Sequence, residues 1–175
     1  MALRPALAAA MAVAALAATA QPAPPLECRL TAPASVAAGQ PVPLRLRLHN
    51  PGGAAVQVLN WGTPFEGWFA AYVQVWRDGT ELAYAGPSLK RGEPEREDYL
   101  RIGAGRSRVA VVDLAQAFDL GRSGRYRVQP RLTIHDAFIG GASAAPRPRE
   151  RHASLVLPCA PLSVEVRAPG ASAPR

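Results

Sequence analysis

The sequence predicts an all-β protein, built as one immunoglobulin-like antiparallel β-sandwich. Residues 44–48 alternate leucine with arginine, which is typical of a strand with one buried face and one solvated face. Turn signals such as residues 50–53 and the Asp78-Gly79 pair separate short runs of this kind, and helical periodicity is nearly absent. Tyr126 stands two residues after a glycine turn, which is typical of the tyrosine corner of such sandwiches.

The remaining elements follow from turn and loop chemistry. No regular element is expected through residues 62–67, because Pro64 fixes its own φ and glycines flank the loop. A charged loop is expected at 86–98, a single helical turn near 114–118, and a flexible connector at 140–150. The predicted strands are residues 26–32, 41–49, 56–59, 71–76, 81–85, 99–102, 107–114, 125–128, 152–157 and 162–167.

The N-terminal residues have the features of an export signal. Arg4 supplies a positive charge, residues 7–18 are apolar, and residues 18–20 match an A-x-A cleavage site. The alternative, an N-terminal helix, cannot continue through the prolines that follow. We therefore predict four segments and a soluble exported protein, periplasmic or extracellular, whose apolar run is too short for a membrane span. The segments are a signal peptide at 1–20, a proline-rich leader at 21–25, the sandwich domain at 26–167 and a disordered tail at 168–175.

Two cysteines, Cys28 and Cys159, lie near the two ends of the predicted mature chain. In an oxidising compartment such a distant pair most often forms a bridge. Closing so long a loop contributes about 4–5 kcal/mol in the chain-entropy model. We therefore predict a disulfide between the first and last strands, with two buried free thiols as the alternative.

The positive charge does not indicate a nucleic-acid partner. The chain carries 20 Lys+Arg against 13 Asp+Glu, a formal net charge of +7. Two pairs of arginines, Arg45 with Arg47 and Arg125 with Arg127, alternate with apolar residues along predicted strands. Such arginines are expected on solvated strand faces rather than in a binding patch.

No pattern of catalytic or metal-binding residues is present in the sequence. The three histidines have no HExxH arrangement and no second ligand at a metal-binding spacing. No serine lies in a G-x-S-x-G elbow. Carboxylates cluster only at 93–98, where basic neighbours favour a solvated charge run. The sequence thus predicts a protein that is not an enzyme and that has no cofactor.

The three tryptophans have different predicted environments. Trp61 is expected in the core, with a hydrogen-bond partner for its indole N–H. Trp76 flanks a hairpin turn and is expected to be half-exposed. The Trp68-Phe69 pair is the candidate for an exposed aromatic anchor at an interface, with a core position as the alternative.

An ordered series of motifs resembles the N-terminal pro-region of secreted deuterolysin-type (peptidyl-lysine, aspartate-zincin) metalloendopeptidases. The resemblance covers roughly residues 32–128. The motifs are residues 58–67 (VLNWGTPFEG), Gly79, residues 84–86, 89–91, Pro94, and residues 98–99, 112–114 and 124–128.

The resemblance implies that the protein acts on a protease partner. In that family the pro-region precedes a zinc protease domain and keeps it inactive or helps it to fold. The HExxH helix and the downstream Gly-Thr-x-x-Asp motif are missing here, so peptidase activity does not carry over. What the resemblance implies is an exported inhibitor or folding chaperone whose protein partner is a secreted zinc metalloprotease. The alternative is a generic binding or structural immunoglobulin-like module.

Two stretches are candidates for partner binding. The first is the loop at 62–67, which Pro64 shapes and which is expected to protrude. In it, Phe65 and the nearby Trp68 would act as apolar anchors, and the Glu66 carboxylate would be able to approach a metal or a basic subsite. The second is Lys90 with Arg91, since a lysine-preferring protease could accept Lys90 as a substrate-like side chain. In the alternative, the proline only shapes a strand crossing and the basic pair is solvated. The candidate residues are Thr63, Pro64, Phe65, Glu66, Trp68, Lys90 and Arg91.

Overall fold

The computed structural model describes residues 23–169. The predicted signal peptide and most of the predicted tail lie outside these residues. Within them the regular structure is strands and short 3-10 turns, and no helix is long and apolar enough to cross a membrane. The strands are β1 (Glu27–Thr31), β2 (Ser35–Ala37), β3 (Pro43–His49), β4 (Val56–Leu59), β5 (Val73–Arg77), β6 (Thr80–Glu81), β7 (Tyr99–Ile102), β8 (Ser107–Asp113), β9 (Gly124–Pro130), β10 (Thr133–Ile134), β11 (Ala137–Ile139), β12 (Leu155–Val156) and β13 (Leu162–Arg167). The 3-10 turns are Arg96–Asp98, Leu114–Gln116, Ala142–Ala144 and Arg149–Arg151.

Two layers form an immunoglobulin-like sandwich, as predicted. One layer is the five-stranded sheet β2-β13-β9-β5-β6. The other contains β1-β3-β8 and β11-β4-β7, because the antiparallel pairing of β3 with β8 continues, after a break, into that of β4 with β7. The chain changes layers early, since β1 pairs with β3 whereas β2 pairs in parallel with β13.

Asn50 closes the break between these two ladders. Its side chain is buried, and its Nδ2 donates to the carbonyl oxygens of Ala54, Ile102 and Gly103 at 2.8, 3.0 and 3.2 Å. Its Oδ1 accepts from the N–H of Gly52 at 3.0 Å. The predicted turn therefore does more than reverse the chain: it supplies hydrogen bonds where the ladders supply none.

The core lies where the alternation predicts it. Leucines 44, 46 and 48 are buried, while Arg45 and Arg47 are exposed. On the facing layer Tyr126 and Val128 are buried and Arg125 and Arg127 are exposed. The hydroxyl of Tyr126 donates to the Arg122 carbonyl at 2.7 Å, which confirms the tyrosine corner.

The structure contains the predicted Cys28–Cys159 disulfide, with the two Cα atoms 5.1 Å apart. The Asp-Gly turn is also confirmed, since Asp78 and Gly79 both have positive φ values of 49° and 87°. The helical turn is present but short. It spans Leu114–Gln116, and its first turn is capped by Asp113, whose carboxylate accepts from the N–H of Ala115 at 3.0 Å.

The strand β4 is buried on both of its faces. All four of its residues are buried, including the polar Gln57. A second cluster of buried side chains covers its outer side, and Gln57 donates from Nε2 to the Gly140 carbonyl at 3.1 Å. The cluster is Leu59, Trp61, Tyr99, Phe138 and Ala145.

The predicted flexible connector at 140–150 packs against the sandwich instead. Asp136 is fully buried and is the acceptor that holds it. Its carboxylate pairs with the Arg147 guanidinium, and it accepts from the Tyr99 hydroxyl at 2.8 Å and the Ala153 N–H at 2.9 Å. A buried carboxylate requires such partners. Composition alone therefore gave the wrong expectation, because the ordering contact joins residues in different segments.

Candidate functional site

Four segments meet at an open cleft of about 480 Å³, which we call the arginine cleft. The loop after β4 forms one wall, the charged loop forms a second, and residues from the β10–β11 turn and the fourth 3-10 turn complete it. The lining residues are Trp61, Gly62, Glu66, Phe69, Ala70, Leu89, Arg91, His135, Arg149 and His152.

The first wall is a tightly hydrogen-bonded loop. The Thr63 hydroxyl donates to the Asn60 carbonyl at 2.5 Å and accepts from the Phe65 N–H at 3.2 Å. Glu66 accepts through Oε1 from the N–H of Gly62 at 2.6 Å. Gly62 has a φ of +66°, and a Cβ there would approach Nε2 of His135 to 3.3 Å. The loop therefore has little freedom to rearrange.

Arg91 is the centre of the cleft. Its guanidinium pairs with the Glu66 carboxylate and lies 5.3 Å from the ring centroid of Trp61 and 5.9 Å from that of Phe69. The Glu66 side chain is only 9% exposed and the Arg91 side chain 28% exposed. An ion pair flanked by two aromatic rings fixes the direction of the charged loop where it passes Arg91.

The structure brings Glu66 and Arg91 together, so they form one site rather than two. This also corrects the expectation for Glu66: its carboxylate is engaged by Arg91 and Gly62 rather than free to approach a metal. Thr63 and Pro64 are buried, and Phe65 packs partly against the core. The loop is therefore not a protruding element; it closes one end of the sandwich.

Trp68 is buried, so the expectation of an exposed anchor is wrong. It is 6% exposed, stacks on Tyr72 with ring centroids 4.4 Å apart, and donates from Nε1 to the Asp113 carbonyl at 2.7 Å. Its neighbour Phe69 is the exposed aromatic residue, at 37%. The packing reason is that Trp68, Tyr84 and Phe118 form one aromatic cluster under the charged loop.

The other two tryptophans agree with prediction except in one respect. Trp61 is buried, but within residues 23–169 its indole N–H has no hydrogen-bond partner. Trp76 is half-buried, with the Arg127 guanidinium 5.5 Å from its ring centroid.

Leu89 and Lys90 are exposed between two anchored stretches. Before them, Ala85 donates to the Ala117 carbonyl at 2.9 Å, and the Tyr84 hydroxyl donates to the Pro87 carbonyl at 2.9 Å. After them, the Arg91 carbonyl accepts from Arg149 Nη1 at 3.1 Å. Residues 87–90, which we call the exposed segment, are thus held at both ends.

Three buried or partly buried tyrosines have raised pKa values. Burial raises the pKa of Tyr72 and that of Tyr84. Burial, and after it the hydrogen bond to Asp136, raises the pKa of Tyr99. A phenol with a raised pKa keeps its proton at neutral and moderately alkaline pH. The hydrogen bonds that the Tyr84 and Tyr99 hydroxyls donate therefore persist over that range.

Comparison with known proteins indicates a relation to a protease. No family model matches the chain. It is 32% identical over 88 residues to a protein named extracellular protease from Aeromonas hydrophila. The match covers 50% of this chain and 25% of that protein, so the chain spans about a quarter of the relative's length.

Two solved structures of one domain also resemble the chain. Both are the CARDB domain of a Pyrococcus furiosus protein, as a crystal structure in complex with di-metal ions and as a solution NMR structure. They share 14% identity with this chain, cover 86% and 82% of it, include 99% and 95% of their own lengths, and have TM-scores of 0.37 and 0.34. The assignment of the fold rests on the strand pairing described above.

The sequence analysis did not identify the residues that complete the cleft opposite the loop after β4. Arg149, His135 and His152 reach it from segments far along the chain, and no local pattern marks them. Phe69 carried a signal, since it adjoins Trp68, but the sequence alone could not show which of the two faces solvent. Within residues 23–169 no group of three or more His, Cys, Asp or Glu side chains is placed to hold a metal ion.

Proposed function

We propose that this protein is an exported, non-catalytic module that binds a secreted zinc metalloprotease and inhibits it or assists its folding. The observation that carries the proposal is the exposed segment, which presents Leu89 and Lys90 between two anchored ends. The relative named extracellular protease and the resemblance to deuterolysin-type pro-regions indicate the class of partner.

The geometry of the exposed segment suits a protease cleft. Peptides enter such clefts as extended chains, and a segment already held at both ends loses little conformational entropy on binding. Lys90 is the only lysine in the sequence. A lysine-preferring protease, the type to which the resemblance points, would therefore have a single preferred residue in this chain, at an exposed position.

The arginine cleft supports the exposed segment in this proposal. Arg91 follows Lys90 directly and is held by Glu66 and by the rings of Trp61 and Phe69. This arrangement keeps Arg91 on the protein and directs Lys90 away from it. The cleft thus acts through positioning, and Lys90 with Leu89 makes the contact.

Export is consistent with the covalent structure. The Cys28–Cys159 disulfide is of the kind that persists in the periplasm or outside the cell and is rare in the cytosol. Together with the predicted signal peptide, it supports the proposal that the protein acts in the compartment of a secreted protease.

Inhibition titrations test the proposal. The mature protein is immobilised, a zinc protease is captured from the native secretome, and its activity is titrated with wild type and with Lys90→Ala. We expect the variant to inhibit at least tenfold less well, about 1.4 kcal/mol. Arg45→Ala, which removes an exposed charge on another surface, serves as the control and should inhibit like wild type. Wild-type protein that leaves the protease fully active, or that is rapidly cut at Lys90, would contradict the inhibitor role.

A second candidate function is a generic structural or binding module, and one observation favours it. Much of the family-like motif at 58–67 is buried, including Trp61, Thr63 and Pro64. In this case the motif serves folding alone. The titration separates the two candidates, since a generic module would not inhibit at any concentration.

A further inference from the structure

The arginine cleft carries positive charge that its own carboxylate does not balance. Its lining includes two arginines and two histidines but one carboxylate, that of Glu66. This carboxylate is already engaged, because Arg91 pairs with it and the Gly62 N–H donates to it at 2.6 Å. The guanidinium of the second arginine, Arg149, forms no ion pair within residues 23–169. The cleft is therefore electrostatically complementary to an anion.

Arg149 is held at the cleft by contacts that leave several of its donors without a protein partner. Its Nη1 donates to the Arg91 carbonyl at 3.1 Å, and its backbone N–H donates to the Glu93 carboxylate at 3.2 Å. In the described part of the chain, its Nε and Nη2 donate to no other group. A guanidinium is planar, and two of its N–H groups match the two oxygens of a carboxylate. The anion that suits Arg149 is thus a carboxylate.

The wall of the cleft also contains a buried donor that lacks an acceptor. Trp61 lines the cleft and is 7% exposed, and its indole N–H has no partner within residues 23–169. A buried N–H without an acceptor is costly, so it indicates a missing ligand or water. Of the two histidines, His152 is engaged, since its Nε2 lies 3.1 Å from the Arg147 carbonyl. His135 is exposed beside Gly62 and is available to a ligand.

The cleft has an apolar side as well. Phe69 and Leu89 both line it and are 37% and 47% exposed. Contact of these side chains with an apolar group would remove both surfaces from water and stabilise a complex. The cleft volume, about 480 Å³, is in the range of sites for small ligands. The ligand that fits has a carboxylate and an apolar group close together.

We propose that the arginine cleft binds the C-terminus of a peptide whose last residue is apolar. A terminal residue carries its carboxylate and its side chain on one Cα atom, so Arg149 binds the first while Phe69 and Leu89 contact the second. Capture of a terminal carboxylate by oriented N–H donors is an established mode of peptide recognition. The inference does not depend on the proposed protease partner, because the ligand is defined by its terminus alone.

An NMR titration of the mature, disulfide-bonded protein with N-acetyl-phenylalanine tests this inference. We expect saturable shifts of the Arg149 Nε–H and Trp61 indole N–H resonances. The matched control is N-acetyl-phenylalanine amide, which keeps the side chain but lacks the carboxylate and should bind at least tenfold more weakly. An N-acetylated, C-terminally amidated phenylalanyl-glutamate has its carboxylate on a side chain instead. It should also bind at least tenfold more weakly, because its carboxylate and its ring lie on different residues.

Two arginines of one 3-10 turn supply the matched variants. Arg149→Gln removes the unpaired guanidinium and should weaken binding of the acid at least tenfold. Arg151→Gln changes an exposed arginine that does not line the cleft, and it should bind like wild type. Thermal midpoints check folding, which should be unchanged because both side chains are exposed.

Four results would each overturn the proposal. They are a wild type that shows no saturable binding, equal binding of the acid and the amide, equal binding of the side-chain carboxylate, and an Arg149→Gln variant that binds like wild type. The titration uses the protein alone, so its outcome is independent of whether a protease partner is found.

Discussion

Strands β3 and β4 lie in the same layer but have different surroundings. In β3, buried leucines alternate with exposed arginines, whereas all four residues of β4 are buried. The difference arises because residues 135–153 return along β4, where β11 pairs with β4 and the Tyr99 hydroxyl donates to Asp136. Arg147 in turn pairs with Asp136 and holds residues 140–150 in place. Alternation thus shows which side chains face the core. Whether the opposite face meets solvent depends on a segment far along the chain.

The largest expected loss of stability comes from breaking the ion pair between Arg147 and Asp136. Arg147→Ala leaves the fully buried Asp136 carboxylate without its cationic partner. We expect the free energy of unfolding to fall by about 3–5 kcal/mol. Urea denaturation followed by tryptophan fluorescence measures the change.

The control for this prediction is Arg151→Ala, in the same segment but exposed. It should change the free energy of unfolding by no more than about 0.5 kcal/mol. Equal losses in the two variants would mean that the ion pair with Asp136 does not hold residues 140–150 in place.

A second prediction sharpens the comparison on the β3 side. Leu46→Ala opens a cavity at a side chain that is 1% exposed, and it should cost about 2–5 kcal/mol. Arg45→Ala, the adjacent residue on the solvated face, should cost no more than about 0.5 kcal/mol. Urea denaturation of the pair gives both values. Similar costs for the two would contradict the assignment of one buried and one solvated face.

The smallest predicted loss of stability tests whether the outer face of β4 is buried. Gln57→Ala removes a buried side chain that donates to the Gly140 carbonyl. Loss of this hydrogen bond inside the protein should cost about 1–3 kcal/mol. Thermal or urea denaturation measures it. A change as small as that of Arg45→Ala would contradict the burial of this face of β4.

Those parts of the fold that depend on local patterns were predictable. The alternation at 44–48, the Asp-Gly turn and the tyrosine before the corner each require only neighbouring residues to specify a conformation. The disulfide was also predictable, because only two cysteines exist and one pairing is possible. The packing of residues 140–150 was not, since it depends on a buried ion pair between a strand-end carboxylate and a proline-flanked arginine.

The candidate site was predictable in part for the same reason. Glu66 and Arg91 were both identified, but their ion pair joins two loops and no sequence period connects them. Of the neighbours Trp68 and Phe69, only Phe69 is exposed. The sequence could not separate them, because a non-repetitive loop has no alternation that distinguishes buried from exposed residues. Lys90 was selected because a lysine-preferring protease would accept its side chain, and the structure shows that Lys90 is exposed.

The most direct test of the central claim is backbone amide hydrogen exchange of the protein alone and in complex with a captured secreted zinc protease. Leu89 and Lys90 are exposed, so their amides should exchange rapidly in the free protein. The account predicts strong new protection at residues 87–91 in the complex, with the buried loop at 62–64 unchanged. Protection confined to other surfaces, with residues 87–91 exchanging as fast as in the free protein, would contradict it.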